Sequence, residues 1–283
     1  MIKSPLRYPG GKSRGIAAIA ARFPQSFREF REPMVGGGSV FLYVRQTFPD
    51  VPCWVNDLNY DLICFWQTAQ TRTKELADEL HALRGRETDG RALFERLRSV
   101  DKTTIGDFER AVRFFALNRI TFSGTIEAGG YSESAFAARW THSAIERVRV
   151  LAPLLAGVRI THGDFAPPLS DPGDGVFVFL DPPYVTATQS RLYGEKGMLH
   201  TGFDHERFAD AIRDTPHRFL ITYDDAPVLR ERFASSTLHG WRLQYGMNNY
   251  KQATAATGAE LMISNFDPAP PAVATRQSAL IFG

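Results

Sequence analysis

Val176-Phe177-Val178-Phe179-Leu180-Asp181-Pro182-Pro183-Tyr184 is the stretch on which the fold turns. Its first five positions are apolar without alternation, the pattern of a central parallel strand covered on both faces. The run then breaks at an aspartate followed by two prolines, which have no backbone N–H to give a ladder. Open α/β sheets bind ligands outside the carboxyl ends of their strands, so residues 181–184 stand where chemistry is expected.

Upstream, residues 28–34 lead into Val35-Gly36-Gly37-Gly38-Ser39, after which residues 40–44 resume a helical pattern. Strand, glycine turn and helix open a nucleotide-binding α/β unit. A second short strand, 52–55, ends in Asn56-Asp57-Leu58-Asn59. The spacing of Leu62, Phe65, Trp66, Ala69, Leu76, Leu80 and Leu83 predicts a helix over 61–83, and the polar stretch 85–90 predicts a boundary. Residues 91–155 read as largely helical, with Phe108, Val112, Phe115 and Arg119 on one face; the glycine- and serine-rich stretch 122–132 interrupts them as an exposed loop.

Strand signals return at 158–161, 219–223, 241–245 and 261–264. The last two are too close for a crossover helix, which predicts an antiparallel hairpin. The proline- and alanine-rich tail, 267–275, is expected to lie over the surface. The expected fold class is therefore α/β: a mainly parallel, Rossmann-like sheet with an antiparallel strand near one edge. A catalytic domain of residues 1–66 and 156–283 would carry an inserted helical subdomain, 67–155.

Composition fits that reading. Of 283 residues, 43% are hydrophobic and 23% charged, as in folded globular chains. The N-terminus carries charge and proline without an apolar run behind it, so it does not read as a signal peptide. No apolar run approaches the ~20 residues that span a bilayer. Cys53 and Cys64 are expected to be reduced and buried, in a cytoplasmic protein without a metal site. Net charge is only +2, yet residues 1–31 carry seven Lys/Arg against one acid and residues 84–150 twelve against nine. A polyanionic partner would meet these two segments, although solvated helix faces would produce the same counts.

The tetrapeptide itself suggests a chemistry. The Asp181 carboxylate and the Pro182 carbonyl can each accept one hydrogen of an exocyclic amino group, leaving its nitrogen lone pair aimed at an electrophilic methyl. Tyr184 offers a flat face to an extruded base. A proline-stiffened strand end would look the same in isolation.

Five blocks in order resolve that ambiguity: Pro5-Leu6-Arg7-Tyr8-Pro9-Gly10-Gly11-Lys12, Glu32-Pro33-Met34-Val35-Gly36-Gly37-Gly38-Ser39-Val40-Phe41, Asn56-Asp57-Leu58-Asn59, Asp181–Tyr184 with Gly163-Asp164-Phe165 before it, and Glu260-Leu261-Met262-Ile263-Ser264-Asn265. Together they resemble the Dam-like DNA adenine methyltransferases over nearly the whole chain. The resemblance implies a class I fold, S-adenosylmethionine as cofactor, double-stranded DNA as partner and transfer to a flipped adenine. Asp181, Pro182 and Tyr184 would be catalytic. Gly36 and Gly38 would let the backbone approach the cofactor, Asp57 would hold its ribose, and Asp164 and Phe165 its adenine. Lys12 would meet its carboxylate, and Tyr8 its sulfonium or adenine. No metal is implied, and a monomer suffices.

The middle of the chain departs from its relatives. Leu117-Asn118-Arg119-Ile120-Thr121-Phe122-Ser123-Gly124 resembles a family signature, but Ser123 stands where relatives have asparagine. Glu127 stands where better-known members have an arginine that reads a guanine of GATC. A carboxylate accepts from the cytosine amino group instead, so a different target is expected. Lys3, Arg7, Arg119 and Arg139 are candidate phosphate contacts beside Glu127. Methylation of cytosine N4 or of adenine in RNA, and a catalytically silent relative, remain open at this level. So does the choice among a solitary enzyme, a phage enzyme and the modification arm of a restriction pair.

Overall fold

Seven strands make one sheet in the order β3-β2-β1-β4-β5-β7-β6. They are β1 (Glu29–Glu32), β2 (Cys53–Asp57), β3 (Arg159–His162), β4 (Val176–Leu180), β5 (Arg218–Asp224), β6 (Thr237–Gln244) and β7 (Thr257–Ser264). The computed structural model describes residues 1–8, 10–126, 129–185, 202–244 and 257–268. Glu127, Tyr245 and the proline-rich tail from 269 onward lie outside the described residues. The first five strands pair in parallel, whereas β7 runs antiparallel to both β5 and β6. The expected hairpin is therefore present, with β6 on the edge and β7 inside it.

β4 is buried at every position and sends alternate side chains to opposite faces. Phe177 and Phe179 join a core with Phe30 and Val55, while Val176, Val178 and Leu180 join one with Phe208, Phe219 and Ile221. A fully apolar strand is the sequence signature of this two-sided burial. The order in which strands are added reverses between β1 and β4, which sit side by side and parallel near the centre. The crevice above their carboxyl ends is the switch point where such sheets bind ligands.

The helices between β2 and β3 differ from expectation in two places. The pattern over 61–83 is broken at Arg72, whose φ of −134° separates the helices Tyr60–Thr71 and Thr73–Arg86. The second helix runs through Gly85 to Arg86, with Arg84 and Arg86 in its last turn complementing the helix dipole. Gly90 begins the next helix instead of ending a turn, because Asp89 caps it by accepting the Arg91 and Ala92 N–H groups.

Position 66 lies inside the helix Tyr60–Thr71. That helix packs on Asp107–Ile120, where Phe65 stacks on Phe115 with centroids 5.7 Å apart. Leu80 and Phe114 of the helices share one core with Phe30 and Val55 of the sheet. The helical segment thus stands on the catalytic sheet without a core of its own.

The stretch 122–132 is only partly exposed. Phe122 is 63% exposed, but Gly124 and Thr125 are buried and Thr121 bridges Tyr131. Ser123 and Ile126 both adopt left-handed backbone, at φ 56° and 53°. For β-branched Ile126 that conformation costs about 1–2 kcal/mol.

No helix among the described residues is long and apolar enough to cross a membrane. Nor does any cluster of three or more His, Cys, Asp or Glu among them suit a metal ion. Cys53 and Cys64 are free and buried.

Candidate active site

The carboxyl ends of β1, β2, β3 and β4 bring the glycine turn, Asp57, Asp164 and Asp181 to one edge of the sheet. Asp181 is held there by two side chains. Lys12 Nζ lies 2.7 Å from Oδ1 and donates to Oδ2 at 2.8 Å, and Thr222 Oγ1 donates to Oδ1 at 2.9 Å. A carboxylate offers about four lone-pair sites. Three are occupied, so Oδ2 keeps one acceptor position for an incoming N–H. Thr222, fully buried in the carboxyl-terminal half of β5, was not singled out by the sequence. Its signal is positional: the strand beside β4 must present something to the residue that follows β4.

Lys12 is a 4%-exposed side chain engaged with Asp181, the Gly10 carbonyl at 3.0 Å and the Tyr184 ring at 5.0 Å. Burial of an ammonium demands such partners. Tyr184 also meets Tyr223 at 6.1 Å between centroids, and the Tyr223 hydroxyl and His205 Nδ1 share a 2.5 Å hydrogen bond.

The glycine turn has a packing reason more immediate than a cofactor. A Cβ on Gly36 would sit 2.8 Å from the Tyr8 ring, and one on Gly38 2.8 Å from Trp66; both residues have positive φ, 45° and 67°. Glycine is therefore required by Tyr8, Trp66 and the backbone together. Trp66 also donates its indole N–H to the Gly36 carbonyl at 3.2 Å.

Asp57 ties this turn to β2. Its Oδ2 accepts the Gly36 N–H and its Oδ1 the Asn59 N–H, both at 2.9 Å. Burial raises its pKa, partly offset by those amides. Asn56 is a truss that the sequence did not reveal: its amide donates to Pro33, Gly163 and Asp164 carbonyls, joining the ends of three strands.

Glu32 lies below, also buried. Burial first, then the neighbouring Asp181 and Asp57 charges, raise its pKa well above the ordinary carboxylate value, and its Oε2 has no partner. Glu32, Asp57 and Asp181 thus lie close enough for their charges to act on Glu32.

Asp164 and Phe165 follow β3 as expected, but Arg207 pairs with Asp164 and lies over the Phe165 ring.

The N-terminal block and the middle signature meet. Arg7 N–H donates to Asn118 Oδ1 at 2.9 Å, and Asn118 Nδ2 donates to the Arg7 carbonyl at 2.6 Å and the Gly124 carbonyl at 3.2 Å. A Cβ on Gly124 would strike the Arg7 carbonyl at 2.4 Å. The asparagine and glycine of the signature are therefore a clasp on the backbone. Asn118→Ala strands buried donors and acceptors, and is expected to cost about 2–4 kcal/mol. Urea unfolding checks this; a loss below about 0.5 kcal/mol, the size of a neutral surface change, would refute it.

Arg119, a candidate phosphate contact, is buried. It is 3% exposed with its Nε unpartnered, and burial together with Arg147, Arg7 and Arg139 pulls its pKa down to about 9. Arg139 and Arg147 are exposed beside it. Lys3 is exposed next to Ile2, which Gln46 pins through both backbone groups. Glu127 lies outside the described residues.

The strand order, the glycine turn and an acidic strand end beside a double proline are those of a class I methyltransferase fold. The sequence profile of the D12 class N6 adenine-specific DNA methyltransferases matches residues 8–247, and the chain belongs to that family. It is 22% identical over 276 residues to a Type II methyltransferase of Lactococcus lactis subsp. cremoris, covering 92% of this chain and 94% of that one. The DNA adenine methylase of Escherichia coli strain K12 is 24% identical over 249 residues, covering 83% and 85%. A DNA N-6-adenine-methyltransferase of Escherichia phage P1 is 25% identical, and there the match spans 86% of this chain but 32% of the phage protein.

Proposed function

We propose that the chain methylates N6 of an adenine flipped out of double-stranded DNA, with S-adenosylmethionine as methyl donor. The observation that carries this is the Asp181 carboxylate, fixed by Lys12 and Thr222 with acceptor capacity left on Oδ2. Asp181 and the Pro182 carbonyl accept the two amino hydrogens, and Tyr184 stacks on the base. Orientation of the nitrogen lone pair and acceptance of the developing positive charge are the protein's contribution. Asp181 need not remove a proton beforehand, since the amino group becomes acidic only as the new bond forms.

The residues fit the cofactor. Burial and the neighbouring Asp181 and Asp57 charges push the pKa of Glu32 up, so a cation brought into this crevice would relieve the cluster, and S-adenosylmethionine carries a sulfonium and an ammonium. Bound, it supplies a methyl on a good leaving group. Asp57 would take the ribose hydroxyls, Asp164 and Phe165 the adenine, and Tyr8 the region of the sulfonium, above the backbone of Gly36 and Gly38. Lys12 is assigned to Asp181 in preference to the cofactor.

Residues 67–155 would form the target-recognition unit, laid on the sheet through Tyr60–Thr71. Arg7, Arg119, Arg139 and Arg147 form a cationic group suited to DNA phosphates, with Lys3 as an outlying contact. Glu127 would read a base other than the guanine read by arginine in relatives. The test is nucleoside analysis of DNA methylated by the purified chain. N6-methyl-2′-deoxyadenosine is the expected product; N4-methyl-2′-deoxycytidine in its place would overturn the reading.

A further inference from the structure

The two residues assigned to the cofactor's adenine are both covered by one side chain from a different element. Arg207 belongs to the helix His205–Asp214, which Asp204 caps. Its Nη1 donates to Asp164 Oδ2 at 2.9 Å and its Nη2 to Oδ1 at 2.6 Å, a two-point fork. The same guanidinium lies 4.8 Å from the centroid of the Phe165 ring. Asp164 is fixed from behind, since Oδ1 also accepts the Ala166 N–H at 2.9 Å.

A guanidinium and the amino edge of adenine share what such a seat reads. Each is flat, offers N–H donors in its own plane and stacks on an aromatic ring. One carboxylate and one ring face cannot serve both at once. We infer that Arg207 is an internal stand-in for the cofactor's adenine, which the cofactor must displace from Asp164 and Phe165. The inference rests on the assignment of those two residues to the adenine.

Displacement is cheap enough to be useful. The Arg207–Asp164 pair is about half exposed on both sides, so the freed guanidinium can turn into water. Because the fork competes with substrate and product cofactor alike, Arg207 weakens retention of S-adenosylhomocysteine after transfer. It is a positioning residue for cofactor exchange and takes no part in the chemistry.

Calorimetric titration of S-adenosylhomocysteine into the full chain tests this without turnover. Arg207→Ala is expected to bind it about fivefold more tightly, the scale of one exposed ion pair. Added salt should tighten binding to the parent chain, by screening the competing pair, and leave Arg207→Ala unmoved. Binding to Arg207→Ala that is equal to or weaker than the parent's would overturn the inference. Asp164→Ala separates the two layers of argument: it should weaken binding, and an unchanged affinity would mean that the adenine seat lies elsewhere, taking the inference with it.

Discussion

Asp181→Ala is expected to slow methyl transfer roughly a thousandfold, the upper range for removing one group aimed at developing charge. Two effects add. The amino group loses its charged acceptor, and Lys12, a buried ammonium, loses the carboxylate that it touches at 2.7 Å. Asp181→Asn separates them. It keeps the shape and one oxygen, so the crevice should hold together while the charge-assisted acceptance is lost. Single-turnover transfer from labelled cofactor to DNA gives the rate of the chemical step. An Asp181→Ala rate within tenfold of the parent would remove Asp181 from the chemistry.

Lys12→Met carries the second large effect, and it decides between two roles for the lysine. If Lys12 serves Asp181, its loss leaves that carboxylate without the cation that it touches. Breaking a buried pair from one side costs about 3 kcal/mol of stability, read as a lower Tm. The transfer rate should fall about a hundredfold, because Asp181 is no longer held where it meets the amino group. Cofactor affinity should stay nearly constant, since no contact to the cofactor is removed. A Kd raised tenfold at unchanged kcat would instead return Lys12 to the cofactor's carboxylate.

The fold was legible because its signals are one-dimensional. A strand apolar at each of five positions, a glycine turn and a double proline all report their own surroundings. The residues of the candidate site were legible as identities, but their partners were not. Nothing near Lys12 in the sequence points to Asp181, 169 residues away. Thr222 and Arg207 were silent because each acts on a neighbour supplied by another strand end. The break at Arg72 was missed because the apolar spacing continues across it. The burial of Arg119, a candidate phosphate contact, was not legible because arginines are rarely buried without a partner.

The order of the strands has a consequence during synthesis. β1 leaves the ribosome well before its partner on one side, β4, which is made more than a hundred residues later. Closing so long a loop adds little to its entropic cost, but the wait itself is long. Until then the inner edge of β1 is an unpaired ladder, open to wrong partners. Lys12 waits just as long for Asp181, and Arg7 for Asn118. A nascent chain stopped before β4 therefore holds the glycine turn and no acceptor for an amino group. Translation that ends before β4 thus leaves fragments unable to mark DNA.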